Sequence, residues 1–358
     1  MNKEKALALI ETLSNANGTS GFEDEAVAAI QKAAAPFGAC RTDAMRNLYL
    51  HRKENTGARP VVQLDAHTDE VGFMVQAILG NGTAKFVPLG GWVPSTVPAH
   101  KVRVRNSLGE YIPGIVASKP PHFTSEAERK AAPALENMVI DVGACSKEEA
   151  AEKFHLRIGE PVVPEALFEY LPQQDIMTGK AFDCRLGCAA LLATLESLSG
   201  KALHTDVVAA FSSQEEVGLR GARVTSAAIQ PKAAIVFEAT PADDTFSDPY
   251  SMQTAIKKGP MLRFIDASMI VNPRFQRFAL DMGETFGLPV QTAVRTGGGT
   301  NGGAIHLADK GVPVIVIGLP VRYIHTHYGI ASYADFECGV RLAAAILENL
   351  TPEILESF

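Results

Sequence analysis

The amino-acid sequence predicts a three-layer α/β domain that is interrupted by a β-rich segment. Short apolar runs occur at wide intervals and are continuous rather than alternating, which is typical of parallel strands buried on both faces. Helical patterns lie between or after these runs, and a long stretch rich in Gly, Pro and β-branched residues separates the first run from the others. The predicted core strands are Val61–Asp65, Val207–Phe211, Ala233–Phe237 and Val314–Ile317.

Helices are expected before, between and after these strands. The first covers Lys3–Leu13, where apolar residues recur at helical spacing. The second covers Glu23–Ala35, and its acidic first turn suits the positive end of the helix dipole. The remaining patterns predict helices at Leu186–Leu198, Pro273–Phe286, Asn301–Asp309 and Phe336–Leu350.

The segment between about residues 71 and 177 differs in character from the rest of the chain. Lys101–Arg105 alternates charged residues with valine, which predicts a half-exposed strand, and Asn106–Gly109 then resembles a hairpin turn. An α/β domain does not need a connection of about a hundred residues between its first strand and the next helix. We therefore expect a β-rich domain at residues 71–177, inserted into an α/β domain formed by residues 1–70 and 178–358.

The composition argues against several classes of protein. The formal net charge is −7, and no basic stripe favours nucleic acid or an anionic membrane as a partner. Hydrophobic residues make up 46% of the chain, which is enough for a sizeable core, so the chain is not intrinsically disordered. No apolar run approaches the roughly 20 residues that span a bilayer. Five scattered cysteines and an N-terminus unlike a signal peptide predict reduced thiols and a cytoplasmic location.

Candidate site residues follow the ends of the predicted strands. Ligands bind at the carboxyl edge of an open parallel sheet, so side chains at these ends are expected to converge although they span most of the chain. Adjacent carboxylates directly after an apolar strand are costly unless a cation or a proton compensates them. The residues expected to converge are His67, Asp183, Glu215, Glu216, Glu238 and His325, and Asp69 is a nearby carboxylate that would hold the second ring nitrogen of His67.

This residue set indicates a metal site more strongly than any single motif within it does. Histidines and carboxylates suit a borderline metal such as Zn²⁺, and one bridging carboxylate would permit two ions. The glycine-rich run Thr296–Asn301 lacks the lysine of a phosphate-binding loop and is interpreted as a turn that lines the cleft. Cys184 and Cys188 have no second pair of cysteines and are interpreted as small buried residues.

The chain resembles the di-metal aminopeptidases that include the tetrahedral aminopeptidases and the bacterial glutamyl aminopeptidases, some of which are named endoglucanases. The resemblance covers the whole chain in order. The stretches that carry it are Ser20–Glu23, Asp65–Gly72, Ala181–Cys188, Gln214–Gly218 and Arg322–His325.

The resemblance implies that His67, Asp183 and Glu238 bind one divalent ion, and that Asp183, as the bridge, joins Glu216 and His325 at a second. It also implies that Glu215 is the general base and that Asp69 is the hydrogen-bond partner of His67. Zinc is the first expectation for both ions, with cobalt or manganese as alternatives. The β-rich insertion is expected to be a dimerisation domain, the assembly a homo-oligomer in which dimers form a dodecamer, and the substrates short peptides that lose their N-terminal residue.

Two departures from the family pattern bear on metal preference and substrate choice. Position 238 is often Asp in the family, and many relatives continue after the last histidine differently from Thr326–His327–Tyr328. Two other functions remain open: a metal-dependent deacylase or amidase, and a non-catalytic metal-binding assembly protein. A glycosidase is less favoured because it needs two metal-free carboxylates. The preferred N-terminal residue is left open, with Arg295 or Arg322 as the candidates for selecting acidic side chains.

Overall fold

The structure is a computed structural model that describes residues Met1–Phe358. Its helices are α1 (Lys3–Asn15), α2 (Asp24–Ala34), α3 (Glu126–Lys130), α4 (Lys147–Glu152), α5 (Phe182–Ser197), α6 (Arg220–Ile229), α7 (Pro273–Thr285), α8 (Gly302–Ile305), α9 (Tyr333–Asn349) and α10 (Pro352–Glu356). Its strands are β1 (Gly38–Thr42), β2 (Leu48–Arg52), β3 (Val61–His67), β4 (Gly72–Ile78), β5 (Ala84–Leu89), β6 (Lys101–Arg105), β7 (Tyr111–Val116), β8 (Ile140–Asp141), β9 (Pro161–Pro164), β10 (Glu169–Leu171), β11 (Ile176–Gly179), β12 (Asp206–Ser212), β13 (Ala233–Pro241), β14 (Met261–Ile265), β15 (Gln291–Val294), β16 (Val314–Arg322) and β17 (Gly329–Ser332).

The four predicted core strands are neighbours in one large sheet, in the order β12-β3-β13-β16, and all of them run parallel. Their continuous apolar runs are explained by burial on both faces, since every residue of β12 is buried. Helix α5 packs on β3 and β13 and is itself covered by α1 and α9. The α/β fold class predicted from the sequence is therefore confirmed.

Two helices differ from their predictions. Helix α6 follows β12 and was not predicted, since Val224 and Ile229 are the only large apolar residues in its ten-residue sequence. The helix predicted at Asn301–Asp309 is only the single turn α8. Glycine is a poor helix former, and Gly302 and Gly303 are needed because Met269 and Ser268 pack directly against them. None of the helices combines the length and the apolar surface that a membrane-spanning segment needs.

Strands β4 to β9 form a separate closed barrel in the order β4-β5-β8-β7-β6-β9, with its own cluster of buried apolar residues. The predicted hairpin is present, because β6 and β7 pair in antiparallel fashion around the turn at Asn106–Gly109. Strand β10 and the start of β11 lie within the range assigned to the insertion, yet β10 pairs with β11, and β11 pairs with β17 of the large sheet. A hairpin has the same sequence pattern whichever sheet it joins. The sequence therefore does not show at which residue the barrel ends and the large sheet resumes.

Candidate metal centre

The carboxyl edge of the parallel sheet collects all the predicted site residues. His67 ends β3 and lies opposite Ser212, the last residue of β12. Glu215 and Glu216 follow β12 directly, and Glu238 lies within β13 beside the edge. Two further residues reach the edge from other elements, with Asp183 in the first turn of α5 and His325 in the loop after β16.

Asp183 lies between the two histidines. Its Oδ1 is 3.0 Å from Nε2 of His67, and its Oδ2 is 3.2 Å from Nε2 of His325. Glu238 Oε1 lies 3.2 Å from the same nitrogen of His67, while Glu216 Oε2 lies 3.4 Å from that of His325. Two groups with metal-ligand chemistry therefore share Asp183: the first consists of His67, Asp183, Cys184 and Glu238, and the second of Asp183, Glu216 and His325. A third group consists of His67, Glu215 and Glu216.

The donor atoms of this cluster fit divalent metal ions. Oε1 of Glu216 and Oε2 of Glu238 are buried without a hydrogen-bond partner, and such orphaned carboxylate oxygens are costly unless something compensates them. Burial and the neighbouring carboxylates raise the pKa of Glu216 well above its usual range and that of Glu238 to about 7. The protein alone therefore holds its acidic groups in an unfavourable state, which bound cations would relieve.

His67 is held on both sides of its ring. Burial acts to lower its pKa, but the carboxylates of Glu238, Asp183 and Asp69 outweigh burial and raise it well above the usual value. Nδ1 lies 3.1 Å from the backbone carbonyl oxygen of Asp69 and 3.4 Å from its carboxylate. The ring therefore presents Nε2 to the acidic cluster while the opposite nitrogen is engaged by Asp69, an arrangement typical of metal-binding histidines.

Asp69 also holds the loop that carries the paired glutamates. Its Oδ1 accepts the backbone N–H of Glu215 at 2.9 Å, and its Oδ2 accepts that of Glu216 at 3.1 Å. Ser20 donates its hydroxyl to Oδ2 at 2.6 Å. Asp69 is fully buried, and its pKa is nevertheless lowered because hydrogen bonds from His67 and these donors outweigh burial. The residue predicted to orient His67 thus also positions the predicted base.

Residues of the N-terminal segment support the site, although no such role was predicted for them from the sequence. Glu23 is buried, and its Oε1 accepts the backbone N–H groups of Gly21 and Gln214 at 2.8 and 3.2 Å. Burial, together with the charge of Asp69, raises the pKa of Glu23 to about 7. The Ser20–Glu23 stretch was part of the family resemblance, but only the fold shows that it contacts the loop before Glu215.

A buried ion pair lies behind the cluster. Nζ of Lys180 contacts both carboxylate oxygens of Glu70, at 2.6 and 2.7 Å. Arg185 donates to the backbone carbonyl of Thr68 at 2.6 Å and to that of Gly18 at 3.1 Å. These contacts tie the end of β3 and the start of α5 to the N-terminal segment. The two elements that carry His67 and Asp183 are therefore held in fixed positions relative to each other.

The cluster opens into a cavity of about 860 Å³. Thr296 to Gly299 line it, as expected for a cleft turn, and Asn301 donates to the buried Asp65 at 2.7 Å. Asp243, Gln253 and two arginines, Arg263 and Arg295, also line the cavity. The candidates named from the sequence for selecting acidic side chains were Arg295 and Arg322. Arg322 does not line the cavity and pairs with Asp244 through two hydrogen bonds, at 2.9 and 2.8 Å.

Two residues near the cluster have no assigned chemistry. His327 is buried between Trp92 and His100, with ring centroids 5.3 and 4.1 Å away, and does not line the cavity. Cys184 lies beside the cluster, but its thiol donates to the carbonyl of Phe237, and burial raises its pKa well above the usual value. A neutral thiol is a poor ligand, in agreement with its interpretation as a small buried residue.

Comparisons with known proteins identify relatives of the whole chain. The model of the M42 glutamyl aminopeptidase family matches residues 47–342. A glutamyl aminopeptidase from Lactococcus lactis is 32% identical over 346 residues, which are 96% of this chain and 96% of the relative. A lysyl aminopeptidase from Pyrococcus furiosus is 31% identical, and the match covers 96% of this chain and 97% of that protein.

Solved structures agree with these matches. A TET aminopeptidase from a marine sediment archaeon of the Thaumarchaeota has a TM-score of 0.94 at 36% identity, covering 99% of each chain. A TET peptidase from Pyrococcus horikoshii, described as assembling into a tetrahedron or a large octahedral shell, has a TM-score of 0.86 at 27% identity, covering 96% of this chain and 100% of that chain. A Thermotoga maritima protein named an endoglucanase has a TM-score of 0.77 at 28% identity, covering 97% of this chain and 98% of that chain. The predicted resemblance and the predicted hydrolase class are confirmed.

Proposed function

The chain belongs to the M42 glutamyl aminopeptidase family, and from this premise we propose that it removes the N-terminal residue from short peptides with two divalent metal ions bound at the carboxyl edge of its sheet. The observation that carries the proposal is the position of Asp183, whose two carboxylate oxygens each face a different histidine. A carboxylate with this arrangement would be able to offer one oxygen to each of two metal ions.

The proposed ligands form two sets that share Asp183. His67 and Glu238 complete the first set, and Glu216 and His325 complete the second. Zinc is the proposed metal, with cobalt or manganese as alternatives, because histidine and carboxylate ligands suit all three. When bound, such ions would lower the pKa of a coordinated water and polarise the scissile carbonyl.

Glu215 is proposed as the general base. It lines the cavity, and its carboxylate lies within 4.8 Å of donor atoms of His67 and Glu216, but unlike Glu216 and Glu238 it forms no ion pair with a histidine. Burial and the charges of Glu238, Glu216 and Asp183 raise its pKa well above the usual value, which makes it a better proton acceptor once it is ionised. Glu215 would take a proton from the attacking water and pass it to the leaving amine, while Asp69 holds its backbone in place.

The same acidic groups would select a free N-terminus. Glu215, Glu216, Glu238 and Asp183 all line the cavity, and Glu215 is the only one of them that is not a proposed metal ligand. A free α-amino group is able to pair with a carboxylate or, deprotonated, to approach a metal ion, whereas an acylated amine can do neither. A site that depends on a buried polar contact rejects analogues that lack it.

The arginines of the cavity favour an acidic side chain at the substrate's N-terminus. Arg263 and Arg295 both line the cavity, together with Asp243. Arg263 is already paired with the buried Asp266 at 2.9 Å, whereas Arg295 lies 3.9 Å from Asp243, which accepts the backbone N–H of Thr254 at 2.9 Å. Arg295 has no closer carboxylate partner and its Nε is buried without a hydrogen-bond partner, so it has donor capacity left for a substrate carboxylate. The substrate named for the lactococcal relative is favoured here over that of the lysyl relative.

The barrel is proposed to mediate assembly into a large homo-oligomer. The TET relatives assemble into closed shells, and several apolar side chains of the barrel, among them Leu108, Ile115 and Ile158, are exposed in the single chain. The division of the chain into residues 71–177 and the remainder, and the cytoplasmic location, stay predictions.

A substrate panel tests the proposal. Glutamyl, lysyl and leucyl anilides are offered with free and acetylated amines, after chelation and after Zn²⁺, Co²⁺ or Mn²⁺ is added back. We expect turnover only with metal, only with free amines and fastest with glutamyl. Faster turnover of acetylated compounds would support a deacylase, and no turnover at all would support a non-catalytic assembly protein. Faster turnover of the lysyl anilide than of the glutamyl anilide would overturn only the proposal that the arginines of the cavity select an acidic side chain.

A further inference from the structure

The barrel contacts the candidate metal centre through a glycine turn that consists of Gly90 and Gly91 and directly follows β5. Gly91 lines the cavity beside Glu216 and His325, although the rest of the barrel lies away from it. Neither residue was singled out in the sequence, and no assembly role explains why glycine occupies both positions. Their surroundings explain it.

A side chain at either position would meet a proposed ligand. A Cβ atom on Gly90 would lie 3.2 Å from Oε2 of Glu216 and 2.7 Å from Val71, and the residue has a φ of +81°, which disfavours other residue types. A Cβ atom on Gly91 would lie 3.2 Å from Nδ1 of His325. The turn therefore packs against both proposed ligands that are specific to the second ion.

The turn faces the side of His325 that points away from the cluster. Nε2 of His325 lies near Asp183 and Glu216, whereas Nδ1 faces Gly91, with 3.2 Å between Nδ1 and the position that a Cβ atom on that glycine would take. Contacts at the second ring nitrogen orient a metal-binding histidine. For His67 the residue at this nitrogen is Asp69, within the α/β core, but for His325 it is Gly91 of the barrel.

The loop that carries His325 has left-handed backbone angles at two non-glycine residues, Tyr323 at φ +60° and His325 at φ +59°. Such angles persist only where surrounding contacts hold them. The barrel supplies such contacts, since His327 packs against Trp92 and His100. Trp92 is in turn fixed by a hydrogen bond from Nε1 to the carbonyl of Gly72 at 3.1 Å and by stacking on a phenylalanine of β4.

We propose that the glycine turn is a positioning element of the metal centre, which holds His325 and Glu216 in the geometry that the second ion requires. The barrel then contributes to the site within its own chain as well as to assembly. The inference rests on the proposed function, because it presupposes that the cluster binds two ions.

Gly90→Ala and Gly91→Ala test the inference, with Gly109→Ala as the matched control. Gly109 lies in the β6–β7 hairpin at φ +83° with no atom within 4 Å of its Cβ position, so alanine there meets the same backbone strain as at Gly90 without any contact to the site. Metal content and affinity are measured by competition with a chelator, and Trp92, the only tryptophan, gives a fluorescence signal close to the turn. The melting temperature of each metal-free variant reports on folding.

We expect both site variants to bind one ion as the wild type does and the other about 10- to 100-fold more weakly. The control variant should bind both ions normally. Gly91→Ala needs no left-handed angle, so it remains informative if Gly90→Ala fails to fold. Wild-type affinity for both ions in Gly91→Ala, or the same loss in Gly109→Ala, would overturn the inference alone. A wild-type protein that binds no metal would overturn the proposed function as well.

Discussion

Asp69 accepts the backbone N–H of Glu215 at 2.9 Å, so the partner of one proposed ligand also fixes the proposed base. The same carboxylate accepts the N–H of Glu216 and contacts the ring of His67. Because one fully buried group holds three site residues, the geometry of the two glutamates relative to the histidine does not depend on metal. The site is therefore partly preorganised before any ion binds.

Glu215→Gln separates the base from the ligands. The amide keeps the shape of the side chain but cannot accept the proton, so turnover should fall by roughly 10²- to 10⁴-fold while metal content stays nearly unchanged. Glu216→Gln is the matched control on the neighbouring residue and should lose metal instead. Metal analysis and kinetics on both variants decide the assignment. Loss of metal in the Glu215 variant, with activity in proportion, would reverse the two roles.

Asp183→Asn tests the bridge. One carboxylate faces both histidines, so its neutralisation should weaken both ions together, whereas His325→Ala should chiefly weaken one. Metal is counted in the purified variants over a range of free metal concentrations. Full occupancy by two ions in the Asp183 variant would exclude a bridging role.

Removal of the barrel should abolish the large assembly. Phe73 and Val162 are paired neighbours on β4 and β9, so a deletion of residues 72–164 leaves ends that a short linker is able to close. Strands β10 and β11 are retained because they pair with the large sheet. Light scattering measures the size of the particle. A state of association equal to that of the full chain would remove the dimerisation role from the barrel.

N-acetylation of the substrate should reduce turnover by orders of magnitude. The free α-amino group is expected to pair with the acidic cluster around Glu215 and Glu238, and a buried site that loses this contact leaves its own charges unpaired. Matched aminoacyl anilides with and without the acetyl group are compared by kcat/KM. Equal or faster hydrolysis of the acetylated compounds would favour the deacylase.

Glu23 makes stability depend on pH. Burial and Asp69 raise its pKa in the folded state from 4.5 to about 7, so the folded protein retains a proton that the unfolded chain releases between these values. Stability therefore falls as the pH rises through this window. Glu23→Gln removes this loss and should raise the free energy of unfolding by about 3 kcal/mol at pH 8, with little change at pH 4.

Urea denaturation of the metal-free protein at the two pH values measures this effect. Glu25→Gln is the control, because Glu25 belongs to the same helix but is exposed. An equal change in the free energy of unfolding at both pH values in the Glu23 variant would show that the carboxyl group of Glu23 does not cause the pH dependence of stability.

Much of the fold could be predicted because its signals are local. A continuous apolar run such as Val207–Phe211 reports burial on both faces, and β12 indeed has no exposed residue. The hairpin around Asn106–Gly109 was likewise visible from alternation and turn residues. The short α8 and the sheet joined by β11 were not visible, because each depends on which distant element packs against the segment.

The sequence by itself determined which residue types stand at the strand ends, and hence the metal-binding chemistry and the candidate residues. Only the tertiary structure decided that the two oxygens of Asp183 face different histidines, that Arg263 rather than Arg322 lines the cavity, and that Gly91 lies against His325. Periodicity and composition report how buried a residue is. The direction in which a side chain points depends instead on contacts between segments more than a hundred residues apart, such as the one between Gly91 and His325.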